Sequence, residues 1–135
     1  AGGGITFYAD AGDPSVVLAG TTLTDGVRWY PHDPSGVQPD KLFSDGKGWI
    51  AHAAGDLLLI KSFPDISPAQ SPTGEAEIEI YSAPKYVEVE NQGAVQTLSP
   101  GEALHWTVRW YARKLPAPAV VGSADLVAYV QNQIK

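Results

Sequence analysis

The sequence predicts an all-β fold: an antiparallel β-sandwich with one short C-terminal helix. Three observations point to it. First, apolar and polar residues alternate in three segments between residues 75 and 113. Ala76, Ile78 and Ile80 alternate with Glu75, Glu77 and Glu79; Val87 and Val89 alternate with Tyr86, Glu88 and Glu90; Leu104, Trp106, Val108 and Trp110 alternate with His105, Thr107, Arg109 and Tyr111. Successive strand side chains point to opposite faces, so each segment has one apolar and one polar face. Second, turn residues rich in Gly and Pro separate the strand-like runs along the chain. Third, a helical stripe occurs at the end, where Leu126, Val127, Val130 and Ile134 fall on one side.

The chain of 135 residues is one domain's worth of sequence and long enough to bury a core. At 44% hydrophobic and 18% charged it has the composition of a globular protein, and no apolar run is long enough for a membrane-spanning helix. The net charge of −6, with only nine Lys and Arg, argues against nucleic acid, whose binding rests on phosphate neutralisation. With no cysteine, disulfides, thiolate metal sites and a cysteine nucleophile are excluded. The first residue is Ala1 and not Met, which suggests a processed, trimmed or excised product.

In chain order, residues 1–4 (Ala-Gly-Gly-Gly) are expected to be flexible. Ile5–Ala9 and residues 15–18 are short strands joined by the turn chemistry of residues 10–14. Val27, Arg28, Trp29 and Tyr30 form another. Residues 31–40 hold three prolines and a glycine and make a long loop. Residues 48–53 and 56–63 read as a hairpin turning near Ala54-Gly55. The continuous run Leu57-Leu58-Leu59-Ile60 suits a strand covered on both faces, which requires a second layer. A second long loop, with prolines at 64, 68 and 72, leads to the alternating segments, and Ser99-Pro100-Gly101 turns the chain into the last of them. Pro116-Ala117-Pro118 ends the sheet. Ser123 is a good N-cap and Asp125 suits a helix's first turn, which predicts a helix over Ala124–Gln133.

The acidic strand faces are the first chemical feature. Glu88 and Glu90 share one face of a strand, and Glu75, Glu77 and Glu79 one face of another. Carboxylates at i and i+2 on a strand are about 7 Å apart, close enough to act together on a sugar or a cation. The plainer reading is a solvated sheet face with cross-strand pairs to Arg109, Arg113, Lys61 or Lys85, each contributing roughly 0.2–1 kcal/mol. Among the aromatics, Trp106 and Trp110 share a face with Leu104 and Val108 and read as core, Tyr86 and Tyr111 lie on polar faces and could contact a ligand, and Trp29 and Trp49 border loops. His32, His52 and His105 form no metal-ligand motif; His52 or His105 could serve as a general acid, although a surface or hydrogen-bonded histidine is the commoner case. There is no nucleophile elbow and no phosphate-cradling loop, and no cofactor or metal is expected.

The run from Tyr86-Val87-Glu88-Val89-Glu90-Asn91 through Leu98-Ser99-Pro100-Gly101-Glu102 to Trp106-Thr107-Val108-Arg109-Trp110 resembles the C-terminal end of the DUF4380 family, bacterial proteins of uncharacterised function related to the galactose mutarotase-like β-supersandwich. The likeness extends back through residues 74–81, 58–63 and 48–51 and forward to Leu126-Val127, covering roughly residues 40–135. It implies that the chain is the C-terminal half of a supersandwich, two large antiparallel sheets packed face to face, whose companion half supplies further strands. In mutarotase-type enzymes a strand-end glutamate is the general base on the anomeric hydroxyl. The segment Tyr86–Asn91 falls on that motif, with Glu90 at the base position and Asn91 where the motif has proline. The histidines that protonate the ring oxygen belong to the other half.

The functional expectation is therefore a carbohydrate-associated protein, binding a sugar or acting at its anomeric centre. Glu90 is the base, and Glu88, Lys61, Arg109, Tyr111 and Trp49 are substrate contacts. The alternative is a non-catalytic structural or assembly module whose charged faces mediate self-association. A calcium-dependent lectin is a third reading. The partners expected are a carbohydrate and a second copy or a companion half, with neither nucleic acid nor membrane.

Overall fold

The computed structural model describes residues 3–12 and 17–135. Strands β1 (Ile5–Ala9), β2 (Thr22–Thr24), β3 (Val27–Pro31), β5 (Trp49–Ala54), β6 (Leu57–Ser62) and β9 (Arg109–Lys114) form one antiparallel sheet in the order β2-β3-β1-β5-β6-β9. Strands β4 (Asp40–Ser44), β7 (Ile78–Ala83) and β8 (Tyr86–Asn91) form a second, in the order β4-β7-β8. Helix α1 (Ala124–Gln133) covers the other face of the larger sheet. The architecture is thus an all-β sandwich with one C-terminal helix, in three layers.

Strand alternation sorts the side chains of the larger sheet into two cores. Phe7, Trp29, Trp49, Ala51, Leu58 and Ile60 pack on Leu126 and Val130 of the helix. Tyr8, Tyr30, Ile50 and Phe63 face Leu42, Ile78 and Ile80 of the smaller sheet. The larger sheet is therefore covered on both faces, but the apolar run at residues 57–60 is enclosed only in part: Leu58 and Ile60 are buried on the helix side, whereas Leu57 is 63% exposed. Aromatic packing fixes the helix-side core, with Phe7 stacked on Trp29 at 4.6 Å and edge-on to Trp49 at 6.0 Å. A hairpin the sequence analysis passed over joins β2 to β3. Asp25 (φ 50°) and Gly26 (φ 73°) both take the left-handed conformation that a tight two-residue hairpin turn requires.

The helix lies where the sequence predicts it, and Ser123 accepts a hydrogen bond from the Leu126 amide. Three local expectations need correction. Gly3 and Gly4 are no loose tail: Gly4 is buried, and its carbonyl accepts from the His32 amide at 2.9 Å. The last alternating segment is a strand only from Arg109 onward. Its pairing partner β6 ends at Ser62, opposite Arg109, and Pro64 soon follows with no amide to extend the ladder. Trp110 is not core but 64% exposed, and Leu104 is 53% exposed. Trp106 and Val108, expected on the same side, do pack against the core between the sheets. The strand expected over residues 15–18 lies partly outside the described residues; Leu18 is a buried residue outside any strand.

Candidate functional site

The outward face of the smaller sheet brings several charged and aromatic side chains together. Register places Glu79 opposite Glu90 on one side and Phe43 on the other. In the next row Tyr81 lies between Lys41 and Glu88, and Ala83 is paired with Tyr86. These positions share one face because Leu42, Ile80 and Val89 occupy the opposite one. Directly opposite side chains in such a sheet are about 5 Å apart. The face is thus a patch of three carboxylates, one ammonium and three aromatic rings.

Its charges are organised around Lys41. The ammonium donates to Glu79 Oε1 and lies 5.6 Å from the Phe43 ring centroid and 5.8 Å from that of Tyr81. The hydrogen bond to Glu79 holds the Lys41 pKa above its usual value. Glu79 is almost fully covered, whereas Glu88 and Glu90 are exposed. Partial burial pushes the Glu90 carboxyl up; the charges of Glu79 and Glu88 and a hydrogen bond with Glu88 push it further. Neighbouring carboxylates at this spacing hold a proton between them more readily than isolated ones do, which suits acid–base work. Tyr81 and Tyr86 extend the patch with rings 6.0 Å apart.

The sequence-derived site residues divide. Glu88 and Glu90 lie together on this face. Lys61 lies on the other side of the smaller sheet: its ammonium donates to the Val89 carbonyl and sits 4.4 Å from the Trp110 ring centroid. Burial lowers its pKa. Trp49 is buried among Phe7 and the helix-side core. Tyr111 packs against that same core, and Arg109 shares its side of β9. The structure therefore does not bring Trp49, Tyr111 or Arg109 to Glu90. The partners expected for the carboxylates also differ. Lys41, overlooked in the sequence, takes Glu79, while Arg113 donates to Gln133 at 2.7 Å. Lys41 could have been found only by knowing that β4 pairs with β7, a contact between residues far apart in sequence.

Glu77 departs furthest from the solvated-face reading. It is fully buried; its Oε2 accepts from the Gly46 amide at 3.1 Å and its Oε1 from the Ile66 amide at 3.0 Å. Burial raises its pKa to about 7, and Asp65 and Asp45 add to the rise. It joins two loops and is closed to any ligand. Among the described residues no three His, Cys, Asp or Glu side chains form a group able to hold a metal ion. No helix of the structure is long and apolar enough to cross a membrane.

Comparison with known proteins returns no match: no family model, no curated protein and no solved structure matches this chain.

Proposed function

We propose that the chain is a carbohydrate-associated protein whose sugar site is the outward face of the smaller sheet. The supporting observation is the grid of Lys41, Tyr81 and Glu88 beside Phe43, Glu79 and Glu90. Exposed rings offer apolar faces to the C–H side of a pyranose, and adjacent carboxylates accept its hydroxyl protons. Glu90 is the base in this reading. Its raised pKa puts proton exchange with an anomeric hydroxyl closer to neutral pH than for an ordinary glutamate. Glu88 and Lys41 orient the sugar, and Tyr81 and Tyr86 form the stacking platform. The resemblance to the DUF4380 family and the mutarotase-like supersandwich points to the same chemistry and to the same residue.

The test is an NMR titration of the labelled protein with neutral hexoses and uronic acids. Saturable shifts are expected at the Glu88–Asn91 amides and at Tyr81, and Glu90→Gln should abolish any acceleration of anomer exchange while sugar still binds. Absence of shifts on β8 at high millimolar sugar sinks the proposal for this chain.

A second reading, assembly, is favoured by one observation: Trp110 stands 64% exposed on the edge strand β9 of the larger sheet. An edge strand carrying an exposed tryptophan is a natural place for another chain to add, whether a second copy or the companion half that the supersandwich resemblance implies.

A further inference from the structure

At one end of the sandwich, away from Glu90, lies a cavity of about 390 Å3 lined by Gly3, Gly4, His32, His52, Lys85 and Tyr86 among others. The histidines come from strands on either side of β1. His52 stands opposite Thr6 on β5, and the chain just past β3 brings His32 level with Gly4. Both strands place these side chains on the face turned toward the smaller sheet. Gly4 makes their approach feasible. A Cβ on it would lie 2.4 Å from both Cε1 and Nε2 of His52, so the imidazole occupies the space a side chain would fill.

Each ring is anchored by its other nitrogen. His32 Nε2 lies 2.7 Å from the Ala83 carbonyl, which can only accept, so Nε2 carries the proton and neutral His32 leaves Nδ1 as a lone pair. His52 Nδ1 is held by the Thr6 hydroxyl at 2.8 Å. Pro84 and Lys85 of the β7–β8 turn line the cavity from the other sheet. No Asp or Glu lines it, although the chain carries a net charge of −6. Asp33, next to His32, turns to Ser35, whose amide and hydroxyl donate to its Oδ1 at 2.8 and 2.7 Å.

We propose that this cavity binds a small oxyanion, a carboxylate or a tetrahedral phosphate-like group, between His32, His52 and Lys85. The ammonium of Lys85 and two protonated imidazoles supply donors and positive charge, with no carboxylate in the lining. Binding is coupled to protonation. In the empty cavity burial and the neighbouring His32 lower the His52 pKa and so disfavour its protonated form. An anion between the rings reverses that balance, so it binds with proton uptake and more tightly as pH falls. The charged and polar groups around the imidazoles are Thr6 from β1, Lys85 from the turn and Asp33 from the loop, whose carboxylate lies close enough to His32 to feel its charge.

The experiment follows the histidine Cε1–H signals by NMR during titration with sulfate and with acetate, neither of which changes charge appreciably between about pH 6 and 8. His32 and His52 should shift saturably with one shared Kd, while exposed His105 does not follow. The Kd should fall by up to about tenfold per unit fall in pH for each proton taken up. Lys85→Ala, a change at an exposed turn residue, should weaken binding about two- to fivefold with the fold intact. Saturation by acetate alone assigns a carboxylate ligand, by sulfate alone a phosphate-like one, and by both an oxyanion of either shape. Shifts that stay linear and match those of His105, or an affinity indifferent to both pH and Lys85→Ala, would overturn the proposal.

Discussion

The buried carboxyl of Glu77 accepts two backbone amides, one from each of two loops, in a place water does not reach. Those amides favour the ionised form, but burial and the charges of Asp65 and Asp45 outweigh them and lift the pKa from 4.5 to about 7. The sign of the linkage follows. Between these two values the folded state binds more protons than the unfolded chain, so stability is greatest in mild acid and falls as pH rises through about 7. The loss amounts to at most about 3 kcal/mol. Burial also raises the Asp45 pKa, which adds to the trend in the same direction. Urea denaturation from about pH 5 to 8 should show this decline. Glu77→Gln should flatten most of it while costing roughly 1–3 kcal/mol at low pH, because its single carbonyl cannot serve both amides. A variant with the native pH slope would show that Glu77 is not its source. The sequence offered no hint of this role. Glu77 alternates with Ala76 and Ile78 like any solvated strand residue, and only the loops at Gly46 and Ile66, distant in sequence, turn its face inward.

Elements were most legible where the signals were local. The helix was, because its N-cap, first-turn acid and apolar stripe all lie within a dozen residues of one another. Its cap is correspondingly testable: Ser123 Oγ accepts from the Leu126 amide at 3.2 Å, so Ser123→Ala should lower stability by about 1 kcal/mol and Ser123→Asp should retain it. Equal denaturation midpoints for all three proteins would mean that the cap contributes nothing. The β5–β6 hairpin was legible for the same reason. Strand β9 was not, although its alternation is as regular as any in the chain. Period two shows that a strand has two faces but not which one is covered. That depends on the opposing layers: Tyr111 packs against the helix-side core, whereas Trp110 on the other face stands 64% exposed. The candidate site divided along the same line. Glu88 and Glu90 were visible as neighbours on one strand, while Lys41 and the histidine pair depend on strand order, which no local pattern encodes.

At the scale of the molecule, the inequality of the two sheets decides what is left open. Six strands face three, and the larger sheet ends in an edge strand whose exposed Trp110 ring has the Lys61 ammonium beside it. That contact stabilises by roughly 0.5–1 kcal/mol and leaves most of the indole in water. An unpaired strand with a large exposed aromatic gains more by adding a partner than by remaining solvated. The expected outcome is concentration-dependent association of the purified chain, read as a rise in solution mass by light scattering. Trp110→Lys removes the apolar surface and places a second positive charge beside Lys61, so it should weaken association at least about tenfold. Its melting temperature should change little, since the side chain contributes to neither core. Glu90→Gln, on the outward face of the other sheet, should leave the association unchanged. A wild-type chain that stays monomeric at every concentration would remove the assembly reading and leave the sugar-binding face as the better account of the molecule. Association lost in Glu90→Gln but kept in Trp110→Lys would place the interface on the acidic face and count against that face as an open sugar site.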